Sequence, residues 1–265
     1  MALPPPAPDS TCLITGASSG IGAEIARELA GRGLGVTLVA RREERLRELA
    51  AELGGDVAVH ACDITDQQAR KALADDLRKR GKIVEVLVNN AGFSTAGPFW
   101  KSDPEREVAM IRTNIEAVIA LCGAFLPGMV ERGRGAVLNV ASTASFQPLP
   151  MQAGYAATKA FVLSFTEAIH SELEGTGVTA TALCPGPVKT EFVEVANLEA
   201  AEGTMPEFLW AGPEEVAKAA VRGLERGKRV VIPGTLNRMG ALGGQHTPRS
   251  LLLRAAKRLH PAARR

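Results

Sequence analysis

The chain has 265 residues, of which 46% are hydrophobic and 23% charged, and its formal net charge is +2. This size and composition are typical of a soluble globular protein with one sizeable core, and no apolar run approaches the length of a membrane span. We predict no nucleic-acid partner, although residues 227–265 carry nine basic residues and no acidic one. The basic residues are Lys228, Arg229, Arg238, Arg249, Arg254, Lys257, Arg258, Arg264 and Arg265.

Residues 1–10 are rich in proline and lack both a basic start and an apolar stretch. We therefore predict a flexible leader that is not a signal peptide. The four cysteines are far apart in the sequence and lie in or beside apolar runs, without the spacing of metal ligands. We expect reduced, buried thiols in a cytoplasmic protein and no metal site. The cysteines are Cys12, Cys62, Cys122 and Cys184.

Short β-branched runs alternate with amphipathic segments along the chain. This alternation predicts an α/β fold, a doubly wound, seven-stranded parallel sheet with helices on both faces and right-handed crossovers. No repeat or internal linker interrupts it, so we expect a single domain over residues 11–233 and a basic extension over residues 234–265. The predicted strands are Thr11–Thr15, Gly35–Ala40, Val57–Ala61, Val84–Asn89, Ala136–Ala141, Val178–Leu183 and Arg229–Ile232, and the predicted helices include Ala23–Arg32, Glu43–Leu53 and Asp66–Arg80.

A glycine-rich turn lies between the first predicted strand and the first predicted helix. Glycines let the backbone turn sharply and let a pyrophosphate approach, while the helix N-terminus offers free N–H groups and a favourable dipole. The spacing Gly-x-x-x-Gly-x-Gly differs from the Gly-x-Gly-x-x-Gly fingerprint of dinucleotide sites, so the segment could be only a tight turn. Its position between strand and helix favours a dinucleotide site. The residues assigned to it are Gly16, Ser18, Ser19, Gly20, Ile21 and Gly22.

The second predicted strand ends at Ala40 and is followed by Arg41 and Arg42. Units that bind NAD usually carry an acidic residue near this point, which holds the 2′-hydroxyl of the adenosine ribose. An arginine suits a 2′-phosphate instead, because its planar guanidinium binds phosphate oxygens in pairs. Two arginines at the start of a helix could also be ordinary surface charge, but the missing acid favours NADP(H).

A tyrosine and a lysine four residues apart, Tyr155 and Lys159, lie in a segment with helical periodicity. That spacing places them one turn apart on one face of a helix. An ammonium group near a phenol favours the phenolate and lowers the phenol pKa from about 10, which makes the tyrosine a usable acid or base. The pair alone could be surface neighbours, but the dinucleotide motifs favour a catalytic role.

Several motifs follow the predicted strands in one order. They are the Gly16/Gly20/Gly22 turn, Asp63 after the third strand, Asn89-Asn90-Ala91-Gly92 after the fourth, then Asn114, Ser142, Tyr155 with Lys159, and Pro185-Gly186. With these motifs the chain resembles the single-domain short-chain dehydrogenases/reductases from Thr11 to about Pro233. The resemblance implies a Rossmann-like fold and hydride transfer between NADP(H) and a carbonyl or alcohol group.

The resemblance also implies a role for each of four catalytic residues. Tyr155 would protonate a carbonyl oxygen, or remove the proton in the reverse direction, while Lys159 would lower its pKa and bind the nicotinamide ribose. Ser142 would polarise the carbonyl through a hydrogen bond, and Asn114 would hold a water that relays protons to the lysine. Ser142 could instead cap the end of its strand, and Thr143 or Ser145 could be confused with it. Asn114 could be a helix-interior residue that bonds only backbone.

The resemblance further assigns loops that hold the cofactor, with Asp63 and Ile64 at the adenine. A mobile substrate lid is implied over about residues 190–211. The residues that would line the cofactor or embrace the nicotinamide amide are Asn90, Ala91, Gly92, Pro185, Gly186, Val188 and Thr190.

Apolar residues in the lid and beside the catalytic positions suit a greasy ketone or an acyl chain. They could equally just pack the lid. In the lid they are Phe192, Val193, Val195, Leu198, Met205, Phe208, Leu209 and Trp210, and outside it Phe93, Phe99, Trp100, Phe146, Leu149 and Met151.

Two surfaces predict partners. One face of the Tyr155 helix has only small residues, and in the family that the chain resembles this helix commonly packs against its copy, so we expect a homodimer or homotetramer. At the basic end, residues 250–259 form an amphipathic pattern that could lie on an anionic membrane surface, dock an acidic partner or simply pack on the body. The small residues are Ala157, Ala160, Ser164 and Ala168.

Two functional classes remain. The first is an NADP(H)-dependent oxidoreductase that reduces a ketone or oxidises a secondary alcohol, acting on an apolar substrate such as a 3-ketoacyl thioester, or alternatively on a hydroxysteroid. The second is a non-catalytic NADPH-binding sensor or scaffold. The presence of Tyr155, Lys159, Ser142 and Asn114 together favours the enzyme.

Overall fold

The computed structural model describes residues 3–192, 207, 210–250 and 252–253. Within these ranges lie seven strands, β1 (Ser10–Thr15), β2 (Val36–Ala40), β3 (Val57–Ala61), β4 (Ile83–Asn89), β5 (Gly135–Val140), β6 (Val178–Leu183) and β7 (Val230–Val231). They pair in parallel, in the order β3-β2-β1-β4-β5-β6-β7. The predicted doubly wound, seven-stranded parallel sheet is confirmed.

Eight α-helices lie within the described ranges and cover the two faces of the sheet. The Tyr155 segment is α6, as its periodicity predicts. The helices are α1 (Gly20–Ala30), α2 (Glu43–Leu53), α3 (Gln67–Lys79), α4 (Pro104–Ile111), α5 (Ala117–Glu131), α6 (Ala153–Glu172), α7 (Pro213–Glu225) and α8 (Thr235–His246), with 3-10 helices at Phe99–Lys101 and Thr143–Phe146.

Successive residues of each strand face opposite sides of the sheet, and both sides are covered. On β1, the side chain of Ile14 packs in a cluster with α1, α2 and α7. Its neighbour Leu13 packs in a second cluster with α3, α5 and α6. Both side chains are fully buried. Burial on both faces explains why the strands are continuous apolar runs instead of alternating ones.

The strand order reverses between β1 and β4, because the chain proceeds from β1 towards β3 on one side and from β4 towards β7 on the other. Connections therefore diverge at the carboxyl ends of these two strands. In open α/β sheets the resulting crevice is where ligands bind. The glycine turn after β1 and the loop after β4 flank it, so the fold places both predicted cofactor loops at one edge.

β3 and β6 have the predicted bounds, and each differing end of the other five strands differs from the predicted one by one residue. β1 begins at Ser10, whose hydroxyl donates to the carbonyl of Ala7 at 3.0 Å, and Leu3 packs against the core. Residues predicted as a flexible leader thus contact the body of the protein. β7 is shorter than predicted because this edge strand pairs with only Ala182 and Leu183 of β6.

One helical segment, Pro104–Glu131, is by length and composition long and apolar enough to cross a membrane, whereas the sequence analysis expected none. It consists of α4, a π-helical turn and α5. In this fold its residues Leu121, Cys122 and Met129 are buried in the core beneath the sheet. We therefore interpret it as a core helix of the α/β domain.

The basic extension predicted over residues 234–265 begins with α8, which packs against the 3-10 helix Thr143–Phe146. Of the predicted lid, residues 190–192, 207 and 210–211 lie within the described part of the chain. Of the predicted basic helix at residues 250–259, residues 250 and 252–253 do. The remaining predicted lid residues, Val193, Val195, Leu198, Met205, Phe208 and Leu209, lie outside it.

Candidate active site

The glycine turn after β1 has the geometry that only glycines permit. Gly16 and Gly20 have positive φ angles of +66° and +56°. A Cβ on Gly22 would lie 2.4 Å from both the Asn90 Nδ2 and the Gly16 carbonyl oxygen. Because α1 begins at Gly20, the turn sits at a helix N-terminus, where free N–H groups favour a phosphate. The turn therefore has a geometry that suits a pyrophosphate, and its role in binding a cofactor stays a prediction.

The loop after β4 is tied to this turn by a residue that the sequence analysis missed. The Thr15 hydroxyl accepts hydrogen bonds from the backbone N–H groups of Asn90 (3.0 Å) and Ala91 (3.1 Å). The Asn90 amide donates to the carbonyl oxygens of Thr15 (3.0 Å) and Gly16 (3.2 Å). These four bonds hold the two cofactor loops together, and a threonine ending a β-strand carries no local signal for such a role.

At the adenosine end of the crevice, Arg42 binds the glycine turn. Its Nη2 donates to the hydroxyls of Ser18 and Ser19, at 3.0 Å each. Arg41 is exposed and its charge lies close to Asp63. Burial raises the pKa of Asp63, but hydrogen bonds from Thr65 and the Arg41 charge outweigh burial and hold it below its ordinary value. The structure thus brings together the predicted adenosine-side residues.

Asp63 and Ile64 follow β3, at the edge of the same crevice. The Asp63 carboxylate accepts hydrogen bonds from the N–H (2.9 Å) and hydroxyl (2.8 Å) of Thr65. Ile64 is buried, and its carbonyl accepts a hydrogen bond from Arg70 at 2.6 Å. These bonds fix the loop in one conformation. Its suitability for an adenine ring stays a prediction.

Tyr155 and Ser142 meet at the carboxyl edge of the sheet. Both are buried, at 8% and 9% exposure. Burial raises the pKa of Tyr155 to about 12, and a hydrogen bond with the Ser142 side chain opposes that rise. Ser142 lies two residues after the end of β5.

Lys159 lies one helical turn after Tyr155, with its ammonium 5.8 Å from the centre of the phenol ring. Its Nζ donates to the carbonyl of Val140 at 2.7 Å. Burial lowers the pKa of Lys159 to about 8. The sequence analysis expected the lysine to lower the phenol pKa, and this role of Lys159 stays a prediction. Burial of the phenol dominates, while the ammonium is directed at a backbone carbonyl.

Two hydroxyl neighbours could have been confused with Ser142, and the structure distinguishes them. The Ser145 hydroxyl accepts from the Ser142 N–H at 3.2 Å and donates to the Lys159 carbonyl at 2.8 Å, so it anchors α6. The backbone N–H of Thr143 donates to the Pro185 carbonyl at 2.9 Å. Ser142 also caps the 3-10 helix that follows it. Ser142 therefore has a capping role, and its role in the active site stays a prediction.

Asn114 lies in the π-helical turn between α4 and α5 and is buried. Its Oδ1 accepts from the N–H of Phe93 at 3.1 Å, and its Nδ2 donates to the Phe93 carbonyl and the Thr158 hydroxyl, both at 3.0 Å. A Cβ on Gly92 would lie 2.9 Å from Asn114 Oδ1 and 3.4 Å from Lys159 Nζ. Asn114 thus positions the loop beside the lysine, and its water-holding role stays a prediction.

The loop after β6 completes the crevice. Val188 pairs with Ala211 in an isolated parallel bridge and is buried. The side chain of Thr190 packs on Gly20, since a Cβ there would lie 3.1 Å from its Cγ2. Of the predicted nicotinamide-side residues, Thr190 thereby meets the glycine turn across the crevice.

Two residues near the loop after β6 were missed by the sequence analysis. Asn237 of α8 lies against Gly186, where a Cβ would come within 2.4 Å of its Oδ1. The Cys184 thiol is fully buried and lies close to Tyr155 and Lys159. Burial raises the pKa of this thiol to about 12. Neither position has a sequence pattern that marks it. All four cysteines are free and buried, as expected.

Apolar side chains surround the phenol. Phe93, Leu149 and Phe192 pack in one cluster with Tyr155 and the buried Met110. The rings of Tyr155 and Phe192 have their centroids 5.6 Å apart.

Not all of the predicted pocket wall belongs to it. Phe99 and Trp100 are exposed on the surface, and Phe146 packs in a separate cluster with Val162 and Leu163. Aromatic character in the sequence does not show whether a side chain faces the pocket, the solvent or another part of the core. In the described part of the chain, no group of three or more histidine, cysteine or acidic side chains could hold a metal ion.

Similar proteins point to one family. A family model described as short chain dehydrogenase matches residues 10–201. Sulfoacetaldehyde reductase 2 of Chromohalobacter salexigens is 42% identical over 187 residues, which are 69% of this chain and 74% of that protein. A putative ketoacyl reductase of Streptomyces coelicolor is 36% identical over 250 residues, 87% of this chain and 96% of that protein.

Among solved structures, a short-chain dehydrogenase from Sphingobium yanoikuyae in complex with NADPH superposes with a TM-score of 0.79 at 35% identity. The match covers 92% of this chain and 95% of that one. The crevice found above, with its glycine turn and its Ser142–Tyr155–Lys159 cluster, lies within the residues matched by the family model. The chain belongs to the short-chain dehydrogenase family.

Proposed function

We propose that the protein is an NADP(H)-dependent carbonyl reductase, or secondary-alcohol dehydrogenase, in which Tyr155 is the acid/base. The observation that carries this proposal is the burial of Tyr155 next to Ser142, with Lys159 one helical turn away and its ammonium 5.8 Å from the centre of the phenol ring. A phenol with this degree of burial keeps its proton at neutral pH. It is therefore set up to donate that proton to a carbonyl oxygen.

The chain's own residues can each be given a task. Tyr155 holds a proton on its phenol oxygen, and Ser142 is placed to bind the same carbonyl oxygen and stabilise the charge that develops there. Lys159 offers a buried ammonium beside the pair, and a nearby cation stabilises the phenolate left after proton donation. Asn114 holds the loop at Gly92 beside the lysine. A bound nicotinamide cofactor would supply the hydride.

The glycine cradle fits such a cofactor. Added Cβ atoms at Gly16 and Gly22 would collide with the loop after β4, so only glycines allow the two loops to approach this closely. The turn sits at the N-terminus of α1, which suits a pyrophosphate. Gly16, Gly20 and Gly22 would therefore hold the diphosphate, with Thr190 on the facing side.

We propose NADP(H) in preference to NAD(H). Arg41 and Arg42 follow β2, where an acidic residue would favour NAD, and Ala40 offers none. The similar Sphingobium yanoikuyae enzyme is described as a complex with NADPH. Replacing Arg41→Asp should lower the ratio of kcat/KM for NADPH over NADH, because the carboxylate repels the 2′-phosphate. Rates with both cofactors measure the ratio, and an unchanged ratio would make Arg41 a bystander.

The substrate class that we propose is an apolar ketone, with a 3-ketoacyl thioester as the first choice. Phe93, Leu149 and Phe192 surround Tyr155, and this apolar wall suits an acyl chain. The similar Streptomyces coelicolor protein is described as a putative ketoacyl reductase, and the match covers 96% of its length. A hydroxysteroid is the alternative apolar substrate. A small anionic aldehyde, as in the name of the sulfoacetaldehyde reductase, fits this wall less well.

A panel of ketones and acyl thioesters, followed by NADPH absorbance, tests the proposal. Turnover with at least one carbonyl is expected, and its loss in Ser142→Ala and Tyr155→Phe would assign it to this site. NADPH binding without turnover of any panel member would instead support a non-catalytic sensor or scaffold. Binding measured in the same samples separates these outcomes.

We also propose a homodimer or homotetramer formed through α6. Ala157, Ser164 and Ala168 are exposed there, and Phe161 stacks on Phe165 with centroids 6.0 Å apart. A surface of small and aromatic side chains allows close helix packing. Light scattering of the purified protein should give two or four subunits, and a monomer would refute the proposal.

We propose a cytoplasmic location, with any membrane contact being peripheral.

A further inference from the structure

The carboxylate of Glu191 lies where two arginines converge. Arg42 Nη1 contacts one of its oxygens at 2.8 Å, and Arg45 contacts the other. Glu191 belongs to the loop after β6, whereas Arg42 and Arg45 lie at the start of α2, so the ion pairs cross the mouth of the crevice. Hydrogen bonds from Arg45 and Arg42 lower the pKa of Glu191 to about 2. The carboxylate is therefore an anion throughout the neutral range.

The same guanidinium of Arg42 also holds the glycine turn. Its Nη2 donates to the hydroxyls of Ser18 and Ser19, while Nη1 donates to Glu191. Two guanidiniums that converge on one anion suit a phosphate equally well, because arginine binds carboxylate and phosphate with the same planar fork. Glu191 fills that position with a carboxylate from the chain itself.

We propose that Glu191 is an intramolecular competitor of the 2′-phosphate of NADP(H) for Arg42 and Arg45, and that Arg45 is a further determinant of cofactor specificity. This rests on the proposed function, because it assumes that a 2′-phosphorylated cofactor binds the crevice. The phosphate and the carboxylate cannot share the two guanidiniums without strong repulsion between like charges. Binding of the phosphate therefore requires Glu191 to leave.

Displacement of Glu191 affects both ends of the crevice, because the residues on either side of it contact both ends. Thr190 packs on Gly20 of the glycine turn, and the Phe192 ring lies against Tyr155. Three successive residues thus contact the turn, the arginines and the phenol. Release of Glu191 by the 2′-phosphate frees the segment that covers Tyr155, whereas NAD(H), which lacks this phosphate, leaves the ion pairs in place.

Calorimetric titration with adenosine 2′,5′-bisphosphate and adenosine 5′-monophosphate tests the competition without any turnover. The two ligands differ by the 2′-phosphate alone. Glu191→Gln should bind the bisphosphate about 3- to 10-fold more tightly than the wild type, since two half-exposed ion pairs no longer have to be broken. Its affinity for the monophosphate should not change. Arg45→Gln should weaken the bisphosphate alone and should reduce the gain from Glu191→Gln in the double variant.

Glu43→Gln is the matched control, because it makes the same charge change on the first turn of α2 at a carboxylate that pairs with Arg47. It should leave both affinities as in the wild type. An equal gain for both ligands, or an equal gain from Glu43→Gln, would reduce the effect to net charge and overturn the proposal. Weaker bisphosphate binding by Glu191→Gln would also overturn it, because Glu191 would then be orienting the arginines.

These results are separable from the proposed function. A wild type that binds the bisphosphate more tightly than the monophosphate but reduces no carbonyl would contradict the reductase and leave the competition intact. A wild type that reduces carbonyls with NADPH while Glu191→Gln behaves as the wild type would contradict the competition alone.

Discussion

At the scale of single residues, Tyr155 and Lys159 are both buried, and burial moves their pKa values apart. It raises the phenol pKa to about 12 and lowers the ammonium pKa to about 8. Both shifts favour the neutral forms, as expected where charged groups lose solvent. The site therefore keeps the Tyr155 phenol protonated, and burial of the charged Lys159 ammonium lowers the stability of the fold. Catalysis and stability place opposite demands on the lysine.

Replacing Tyr155→Phe should lower kcat by about 100- to 10,000-fold, the usual contribution of a positioned general acid. NADPH affinity should stay within about twofold, because the change removes one hydroxyl and little volume. Steady-state rates and a fluorescence titration measure the two quantities. A variant that retained most of its turnover would remove Tyr155 from the role of acid.

Replacing Lys159→Met should raise the free energy of unfolding by about 3 kcal/mol at pH 6, because it removes a buried charge whose pKa is this far below its ordinary value. The folded pKa of the lysine is lowered to about 8 from 10.5, so the cost of burying the charge is present below pH 8. It disappears as the pH rises from 8 to 10.5.

The stability gained by Lys159→Met should therefore shrink between pH 6 and pH 10, while activity and cofactor binding are lost. Chemical denaturation at both pH values measures this. Lys218→Met, at an exposed helix position paired with Glu214, is the control and should change stability little at either pH. An equal gain at both pH values would show that methionine acts through packing alone.

At the scale of elements, local spacing predicted much of the site. The Gly16–Gly22 turn, the Tyr155–Lys159 spacing and the strand rhythm are short-range patterns, and each was found in its predicted element. Contacts between distant residues carry no such pattern. Thr15 tying down the loop at Asn90, or Arg45 reaching Glu191, depend on how strands and loops are brought together. The pKa of Tyr155 likewise depends on burial, which sequence spacing does not report.

A methyl group on the loop after β4 should disturb the site through contact. In Gly92→Ala the new Cβ would lie 2.9 Å from Asn114 Oδ1 and 3.4 Å from Lys159 Nζ. We expect a loss of about 1–3 kcal/mol of stability, as for other overpacked sites, together with reduced kcat. Thermal unfolding and steady-state kinetics measure both effects.

Gly123→Ala is the matched control, because a Cβ at this helical position would meet nothing within 4 Å. Alanine there should stabilise α5 by about 0.5–1 kcal/mol through helix propensity and leave kcat unchanged. If the two variants have similar stability and similar kcat, the close contacts around Gly92 do not affect either quantity.

At the scale of the whole molecule, the C-terminal extension is partly integrated into the domain. α8 packs against the 3-10 helix that begins after Ser142, and its Asn237 lies against Gly186. The extension as a whole is therefore unsuitable for removal in an experiment on the basic end. Residues 254–265 can be removed without touching these contacts, and they include five of the nine basic residues.

The full-length protein should co-sediment with anionic vesicles at low salt and be released at high salt, because each basic contact near a membrane contributes only about 1 kcal/mol. Removal of residues 254–265 should abolish co-sedimentation while preserving NADPH binding. Neutral vesicles are the control. Equal sedimentation of both proteins, or none by either, would assign these residues a structural role.

The buried phenol between Ser142 and Phe192 also makes the protein unusually easy to observe, because Tyr155 is the one tyrosine in the sequence. A sample grown with tyrosine that is labelled only at the ring carbon bearing the hydroxyl would give a single aromatic carbon signal. This signal would need no assignment. Its chemical shift would report directly whether the phenol is protonated, from neutral pH up to the alkaline limit of the fold. Repeating the titration with each ligand would show how binding changes the protonation of the Tyr155 phenol.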